Sequence, residues 1–536
     1  MLGGGFGGLL AGARLREEGF RGIRIVELGG DFGGVWYWNR YPGCQCDVES
    51  YIYLPLLEET GYVPSERYVS ATEIQSYCER IAYAYDLYSD ALLSTRLTGL
   101  QWDDSVGRWH VSTDRADHFT AQYVVMANGP INVPKLPRIA GIELFAGHSF
   151  HTGRWDFGYT GGDNAGALAG LRDKRVAIIG TGASAVQAIP HLGEWAGHLY
   201  VFQRTPTMAG PRHNFPTDSR WFLTQPAGWH ERRRDNFTAW SIGADPGDDL
   251  VDDRLTAIFK RVLTPEVVRV SRALGRRLTP AETSELLELQ SFSLGEELRR
   301  EIDSVVEDPA TAAALKPWYR MLCKRPCPFD GYLETFNRPN VTLVDTDGRG
   351  VDRITRQGAV FNDTEYPVDC LIFASGFEIG TSITSRIGCD AVGTDGLLLS
   401  ERWADGPHTM HGFLTRGFPN LLFMGTTQTA HHANVTHMLD EQARHITHLL
   451  SEVRHRGAHV LEATDAGEAA WRAEMQRSAS STRFDAECTP GYYNSEGDLD
   501  NPWGIVANRY GAGPVRFWEM LKSWRAEGTL EGIELR

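Results

Sequence analysis

Two short glycine patterns carry the first chemical information in this chain of 536 residues. Gly3-x-Gly5-x-x-Gly8 stands at the start, and Gly180-Thr-Gly182-Ala-Ser184-Ala185 lies well inside the chain. Glycines at these intervals let a backbone approach a pyrophosphate, and a helix that begins inside the pattern turns its free N–H groups on the anion. After the first pattern the next apolar run, Ile23 to Val26, ends on Glu27, about twenty residues on, where a carboxylate holds a ribose hydroxyl. After the second, Leu199 to Phe202 ends in Gln203-Arg204-Thr205 instead. A guanidinium and a hydroxyl pair with a 2′-phosphate that a carboxylate would repel, so this turn favours NADPH over NADH.

Turns of this kind need a strand before them and a helix after them. Leu9, Leu10, Ala13 and Leu15 predict a helix stopped by Gly19, and Arg175 to Ile179 supplies a full strand ahead of the second turn. Two further apolar strands, in Tyr123–Pro130 and Cys370–Phe377, end in glycine turns and resemble those on which two-dinucleotide flavoproteins pass from one domain to the other. The fold class expected is α/β, with two dinucleotide-binding (Rossmann-like) domains and a helical insertion. Residues 1–135 and 375–536 then form a discontinuous FAD-binding domain and 136–374 an NADPH-binding domain. The helical insertion covers about 210–320, where Asp253 to Val262 and Pro280 to Leu289 read as helices. Phe157 to Leu171 reads as a mobile glycine-rich loop.

Length alone excludes a single core, and 42% hydrophobic residues with 57 glycines describe a globular, turn-rich protein. A formal charge of −16 argues against nucleic-acid or anionic-membrane binding. Eight cysteines from Cys44 to Cys488 form no dense framework, and Cys44-Gln-Cys46 has the wrong spacing for a CxxC redox pair. That is a reducing-compartment pattern, and with no membrane-length apolar run and no leader ahead of the first turn it predicts a cytoplasmic protein.

Between the two turns lies Phe145-Ala-Gly147-His-Ser-Phe-His151-Thr-Gly-Arg154-Trp155-Asp156. Its spacing matches FxGxxxHxxxW(P/D) and resembles the fingerprint of the Baeyer–Villiger monooxygenases, class B flavoprotein monooxygenases. Gly33-Gly34-Val-Trp36-Tyr-Trp38-Asn-Arg40-Tyr-Pro-Gly-Cys-Gln-Cys46-Asp47-Val-Glu-Ser50 resembles the same family's GGTWYWNRYPGxxCDxxS segment, with Val35 where many members carry Thr. Cys323-Lys324-Arg325-Pro326 and Phe336–Val341 resemble its KRP and YNRxNV stretches, so the likeness runs from Gly3 to about Pro514.

The resemblance implies an enzyme that uses FAD, NADPH and O2, through a C4a-peroxyflavin, to turn a cyclic or bulky ketone into an ester or lactone. It implies that Asp47 sits by the flavin and orients Arg325, a permanent cation stabilising the peroxide anion and the tetrahedral adduct. Trp36 and its aromatic neighbours exclude water. Lys324 joins Arg204 and Thr205 at the 2′-phosphate. His151 belongs to the linker that couples the domains, where a structural hydrogen bond is favoured over proton transfer. The segment Cys488–Gly497 with Asn501–Gly504 resembles the mobile control loop of the branch acting on bulky cyclic ketones, where Trp503 either folds over the cofactors during turnover or is an exposed packing tryptophan. No metal is expected, since His431, His432 and His437 lack the spacing of a ligand set. The cofactor-binding set is therefore Gly3, Gly5, Gly8, Glu27, Gly34, Trp36, Asp47, Gly180, Gly182, Ser184, Arg204, Thr205 and Lys324, and the catalytic set Arg325, Asp47, His151 and Trp503.

Two alternatives stay open from sequence. An N- or S-oxygenating flavin monooxygenase shares both turns, but a soft nucleophile calls for a protonated hydroperoxide rather than a charge-stabilising arginine. A catalytically impaired nucleotide-binding flavoprotein is suggested by the start, where Met1-Leu2 is too short to be the strand before the first turn. That strand is normally central, and its loss would leave neighbouring N–H and C=O groups unpaired. The expectation is a functional protein that begins upstream with about five or six apolar residues, and poor FAD binding by the chain as given.

Overall fold

The computed structural model describes residues 1–263, 265–479 and 483–536. One parallel sheet has the strand order Val341–Asp345, His198–Gln203, Arg175–Ile179, Cys370–Phe373, His148–His151. Val176, Ala177 and Ile178 are successive residues, all fully buried. Since neighbouring side chains on a strand point to opposite faces, both faces must be covered. The helix Ala183–Trp195 packs through Ala185, Val186, Ile189 and Leu192 on one face. A small antiparallel sheet, Arg353–Ile354, Gly358–Phe361 and Thr364–Pro367, covers the other through Ala359 and Phe361.

The second parallel arrangement draws its strands from distant parts of the chain. Ile25–Val26 pairs with Ala91–Leu92, and Val124–Met126 pairs with Leu421–Phe423. Leu2 bridges Val26 on one side and Met126 on the other, both in parallel. This corrects the expectation that Met1-Leu2 leaves the neighbours unpaired. Leu2 N–H donates to Val125 O and Ala127 N–H to Leu2 O, while Gly3 N–H donates to Val26 O and Val26 N–H to Met1 O, each at 2.9 Å. Two residues make the ladder that a longer strand would make at this level. The helices Phe6–Glu17 and Val435–His455 pack against each other beside this sheet.

An antiparallel meander, Leu97–Asp103, Arg108–Thr113 and His118–Ala121, gains Ala391–Val392 in parallel on its first strand. Among the described residues from 219 to 315 the elements are helices: Ser219–Leu223, Trp229–Ser241, Arg254–Val262, Pro265–Leu274, Pro280–Val305 and Pro309–Leu315. Asp253 and Thr279 each close a reciprocal capping box at a helix start, satisfying two otherwise orphaned N–H groups. Phe157 to Leu171, expected as a loop throughout, instead contains helical turns at Phe157–Thr160 and Ala169–Leu171, anchored by the fully buried Thr160. No helix among the described residues is long and apolar enough to cross a membrane.

Candidate active site

The first glycine turn feeds directly into the helix Phe6–Glu17. A Cβ on Gly8 would lie 2.0 Å from Gly3 O, so only glycine lets the helix start close on the strand end. Gly34, at φ +55°, and Gly5 bring two backbones into contact, a Cβ on Gly34 falling 2.7 Å from Gly5 Cα. The helix start has no side-chain cap and no acidic residue in its first turn, so its N–H groups are left to a ligand anion. Glu27 is buried and accepts from the backbone N–H of Gly4 and Gly29, each at 2.5 Å. Burial raises its pKa against those two bonds. Trp36 is buried beside the turn, with Nε1 donating to the Tyr53 hydroxyl at 2.9 Å and Phe6 edge-on to Tyr53.

Asp47 and Arg325, 278 residues apart, form a two-pronged ion pair through Arg325 Nε and Nη2. Asp47 keeps 9% of its side-chain surface accessible and Arg325 keeps 38%, so the carboxylate grips one edge of the guanidinium and leaves another open. Burial alone would push Asp47 up, but the charge and hydrogen bonds of Arg325, helped by Arg212, outweigh it and hold the carboxyl below its usual range. The Asp47 charge in turn raises Arg325 well above the ordinary arginine value, making it a fixed cation.

Sequence reasoning passed over Arg212. It donates to Cys46 O at 2.9 Å and to Gln45 Oε1, and its guanidinium lies 4.4 Å from the Tyr68 ring centroid. It thereby fixes the loop that carries Asp47. A lone arginine in a segment without a motif gives no sequence signal.

The second turn repeats the geometry of the first. Gly180, at φ +115°, would bring a Cβ to 2.6 Å from Ala374 O, whereas a Cβ on Gly182 would meet nothing within 4 Å. The helix Ala183–Trp195 starts without a side-chain cap or an early acid. Ser184, in its first turn, reaches the Tyr41 hydroxyl, which also donates to Gln187 Oε1 at 2.9 Å. Arg204 and Thr205 follow the next strand, Thr205 O accepting from the Thr181 hydroxyl at 2.8 Å. Arg204 and Lys324 come together here, and each is engaged by the segment 490–496. Lys324 Nζ donates to Pro490 O at 2.6 Å, and Arg204 Nη2 to Pro490 O at 3.2 Å and to Glu496 Oε2 at 2.9 Å.

Cys323 and Cys488 form a disulfide, with Cα atoms 5.3 Å apart. One bond among eight cysteines is no dense framework, but it departs from the fully reduced pattern expected from sequence. The bond tethers the segment after Cys488 to the residue next to Lys324, and Tyr492 and Tyr493 come near enough for the charge of Arg325 to act on both. Trp503 packs on Trp403, with centroids 6.1 Å apart, in the cluster that includes Leu2 and Val26. Tyr41 and Tyr53 also feel the Arg325 charge, so aromatic groups approach it from more than one segment.

His151 ends the edge strand of the five-stranded parallel sheet. Its Nδ1 accepts from Gly153 N–H at 3.0 Å, and its ring stands edge-on to Phe377 with centroids 5.4 Å apart. Burial lowers its pKa to about 4, so the ring is neutral with its proton on Nε2, which is buried and makes no well-formed hydrogen bond. In the same fingerprint, Asp156 caps the turn Phe157–Thr160 and pairs with His148 at 2.9 Å, and Trp155 Nε1 donates to the Thr160 hydroxyl. His431, His432 and His437 bond to Thr426 O, the Ser241 hydroxyl and the Thr238 hydroxyl. Among the described residues no group of three or more His, Cys, Asp or Glu is placed to hold a metal.

The chain is similar to known proteins over its whole length. Residues 2–61 match the model of the NAD(P)-binding Rossmann-like domain. The whole chain is 52% identical to pentalenolactone D synthase of Streptomyces arenae, covering 91% of that protein. It is 45% identical, over 99% of its length and 86% of the relative, to Baeyer-Villiger monooxygenase 4 of Dietzia sp.. Among solved structures, the polycyclic ketone monooxygenase of Thermothelomyces thermophila matches with TM-score 0.90 at 37% identity, over 100% of this chain and 88% of that one. A steroid monooxygenase bound to NADP matches with TM-score 0.80 at 29% identity, over 100% and 98%.

Proposed function

Because the chain belongs to the Baeyer–Villiger monooxygenases, we propose that Asp47 and Arg325 are its catalytic pair and that a bulky, fused-ring ketone is its substrate. The enzyme uses FAD and NADPH, which when bound supply oxygen activation and hydride, and the N- or S-oxygenating alternative is set aside. The chain's own residues bind, orient and exclude water.

Both glycine turns fit a dinucleotide: each leads into an uncapped helix start free of early acids. The first, with Glu27 and Gly34, takes FAD. The second, with Ser184, Arg204, Thr205 and Lys324, takes NADPH. The proposed division, 1–135 with 375–536 around FAD and 136–374 around NADPH, falls where the chain crosses between sheets. There Lys135 N–H donates to Gly376 O and Glu378 N–H to Val133 O, so the two crossing segments pair with each other.

The observation that carries the reading is the asymmetric exposure of the Asp47–Arg325 pair. Asp47 accepts two N–H groups of the guanidinium and fixes its plane, and the open edge of Arg325 faces outward as a preset donor for a developing oxyanion. Such a contact in a water-poor site lowers a barrier by about 3–4 kcal/mol. Arg212 holds the Asp47 loop, and Trp36, Tyr53, Tyr492 and Tyr493 supply apolar surface that keeps water away. The bulky-ketone assignment draws on the polycyclic ketone monooxygenase and pentalenolactone D synthase matches.

The test is product analysis. Purified protein with FAD and NADPH, offered a fused tricyclic ketone beside cyclohexanone, is expected to add one oxygen atom to the former at the higher kcat/KM. Preference for cyclohexanone would overturn the substrate assignment, and oxygen transfer to sulfides but to neither ketone would overturn the roles given to Arg325 and Asp47.

A further inference from the structure

Arg204 and Lys324 form a two-cation cradle, and a carboxylate of the chain itself already stands in it. Glu496 Oε2 accepts from Arg204 Nη2 at 2.9 Å, while Pro490 O accepts from both Arg204 and Lys324. Resting on the reading that this cradle takes the coenzyme's 2′-phosphate, we propose that Glu496 is an internal stand-in for that phosphate, displaced when NADPH binds and left in place by NADH.

Three features of the segment support an exchangeable contact. The first is charge. Lys324 is held below the ordinary lysine value by partial burial and then by the neighbouring Arg204 charge, while Glu496 acts in the opposite direction. One carboxylate meets two cations, whereas a phosphate monoester carries a charge of about −1.5 to −2 at neutral pH and balances both. The second is exposure. The side chains of Arg204 and Glu496 keep 47% and 38% of their surfaces, so the pair is screened and weak, a contact a more highly charged ligand can replace.

The third feature is the backbone. Ser495 and Glu496 both adopt left-handed conformations, at φ +52° and +60°. Two successive non-glycine residues seldom do so, and release of the Glu496 carboxylate lets the turn relax. Its base stays put, because Asn494 is buried and bonds to Asp485 O, Cys488 O and Gly491 N–H, and Cys488 is tied to Cys323. The carboxylate therefore remains close to the cradle after it leaves, at high effective concentration.

The same segment carries Tyr492 and Tyr493, which lie near Arg325. Displacement of Glu496 leaves these aromatic groups in place beside the catalytic arginine, because Gly491 and Asn494 on either side of them belong to the base that stays put. NADH lacks the group that would drive the exchange, so Glu496 sharpens the choice of coenzyme beyond what Arg204 and Lys324 achieve by attraction alone.

Isothermal titration of the FAD-loaded protein with NADP+, NAD+ and adenosine 2′,5′-bisphosphate, at low and high salt, tests the proposal in wild type, Glu496→Gln and Arg204→Ala. In Glu496→Gln the two ligands with a 2′-phosphate should bind roughly three- to tenfold more tightly at low salt, with the gain shrinking at high salt and NAD+ unchanged. Unchanged or weaker NADP+ binding in Glu496→Gln, with Arg204→Ala clearly weakened, would overturn the stand-in role and leave the NADPH cradle intact. Equal tightening for NAD+ would also overturn it. Arg204→Ala binding NADP+ as well as wild type would remove the cradle reading and the proposal together.

Discussion

Arg154 of the fingerprint lies over the indole of Trp38, its guanidinium carbon 4.0 Å from the ring centroid. The same side chain donates to Gly153 O at 2.6 Å and to Asn132 O at 3.0 Å. Trp38 belongs to the aromatic segment after the first glycine turn, Asn132 to the crossing segment and Arg154 to the turn that His151 caps. One cation therefore joins three parts that both cofactor sites depend on.

Replacing Arg154 by Ala removes a cation–π contact and leaves two backbone carbonyls short of a donor. Such contacts contribute about 0.5–2 kcal/mol, so flavin reduction by NADPH should slow roughly two- to thirtyfold while FAD stays bound. Stopped-flow reduction of wild type, Arg154→Ala and Arg154→Lys reads this directly, and equal rates in all three would show that the contact does not couple the sites.

Arg325→Ala should abolish ester formation, by on the order of a hundredfold or more, with FAD still bound. Asp47→Asn keeps the shape but weakens the grip on the guanidinium and the negative charge that sustains it, so a smaller loss in kcat with little change in NADPH affinity is expected. Retention of more than about a tenth of wild-type oxygenation in Arg325→Ala would contradict the role given to it.

What was legible in the sequence is what local rules write. Glycines that must approach another backbone, caps such as Asp253 and Thr279, and the arginine after the second ribose-side strand all declare themselves within a few residues. The Asp47–Arg325 pair came from family resemblance, because 278 residues separate its partners and no local rule joins them. Arg212, Tyr492, Tyr493 and Glu496 acquire meaning only from what they face after folding. The pairing of Leu2 is illegible for a related reason, since it depends on Val26 and Met126 being present on either side.

Acid should destabilise the protein well before its carboxylates are protonated. Burial lowers His151, His411, His431 and His432 from 6.5 to about 4. Between these values the unfolded chain binds more protons than the native one, so stability rises with pH there and falls as pH drops below about 6.5. At pH 5.5 each group costs about 1.4 kcal/mol, roughly 6 kcal/mol for the four, a sum comparable to a whole domain's stability. Asp253, raised by burial to about 6, binds its proton more readily when folded and offsets only about 1 kcal/mol. Melting temperature measured from pH 8 to 5 should hold until about 6.5 and then fall steeply. A flat profile down to pH 5 would mean that these rings are charged in the native state or far less buried.

The Cys323–Cys488 disulfide closes a loop across 165 residues, and in the chain-entropy view a link of that span stabilises by up to about 5 kcal/mol. Its position matters more than its span, since Cys323 adjoins Lys324 and Cys488 begins the segment that carries Tyr492, Tyr493 and Glu496. Protein purified without reductant and then denatured should titrate six thiols, those of Cys44, Cys46, Cys78, Cys327, Cys370 and Cys389, and all eight only after reduction. Cys488→Ser should bind FAD as wild type does but release the tether, so limited proteolysis should cut faster near residues 488–497. NADPH should not restore that protection, since its 2′-phosphate takes the Arg204 and Lys324 donors that otherwise hold Pro490 O and Glu496. Eight thiols in the unreduced protein would show that the bond is not formed in solution. Identical cleavage of wild type and Cys488→Ser would show that the segment is held by its hydrogen bonds without need of the tether.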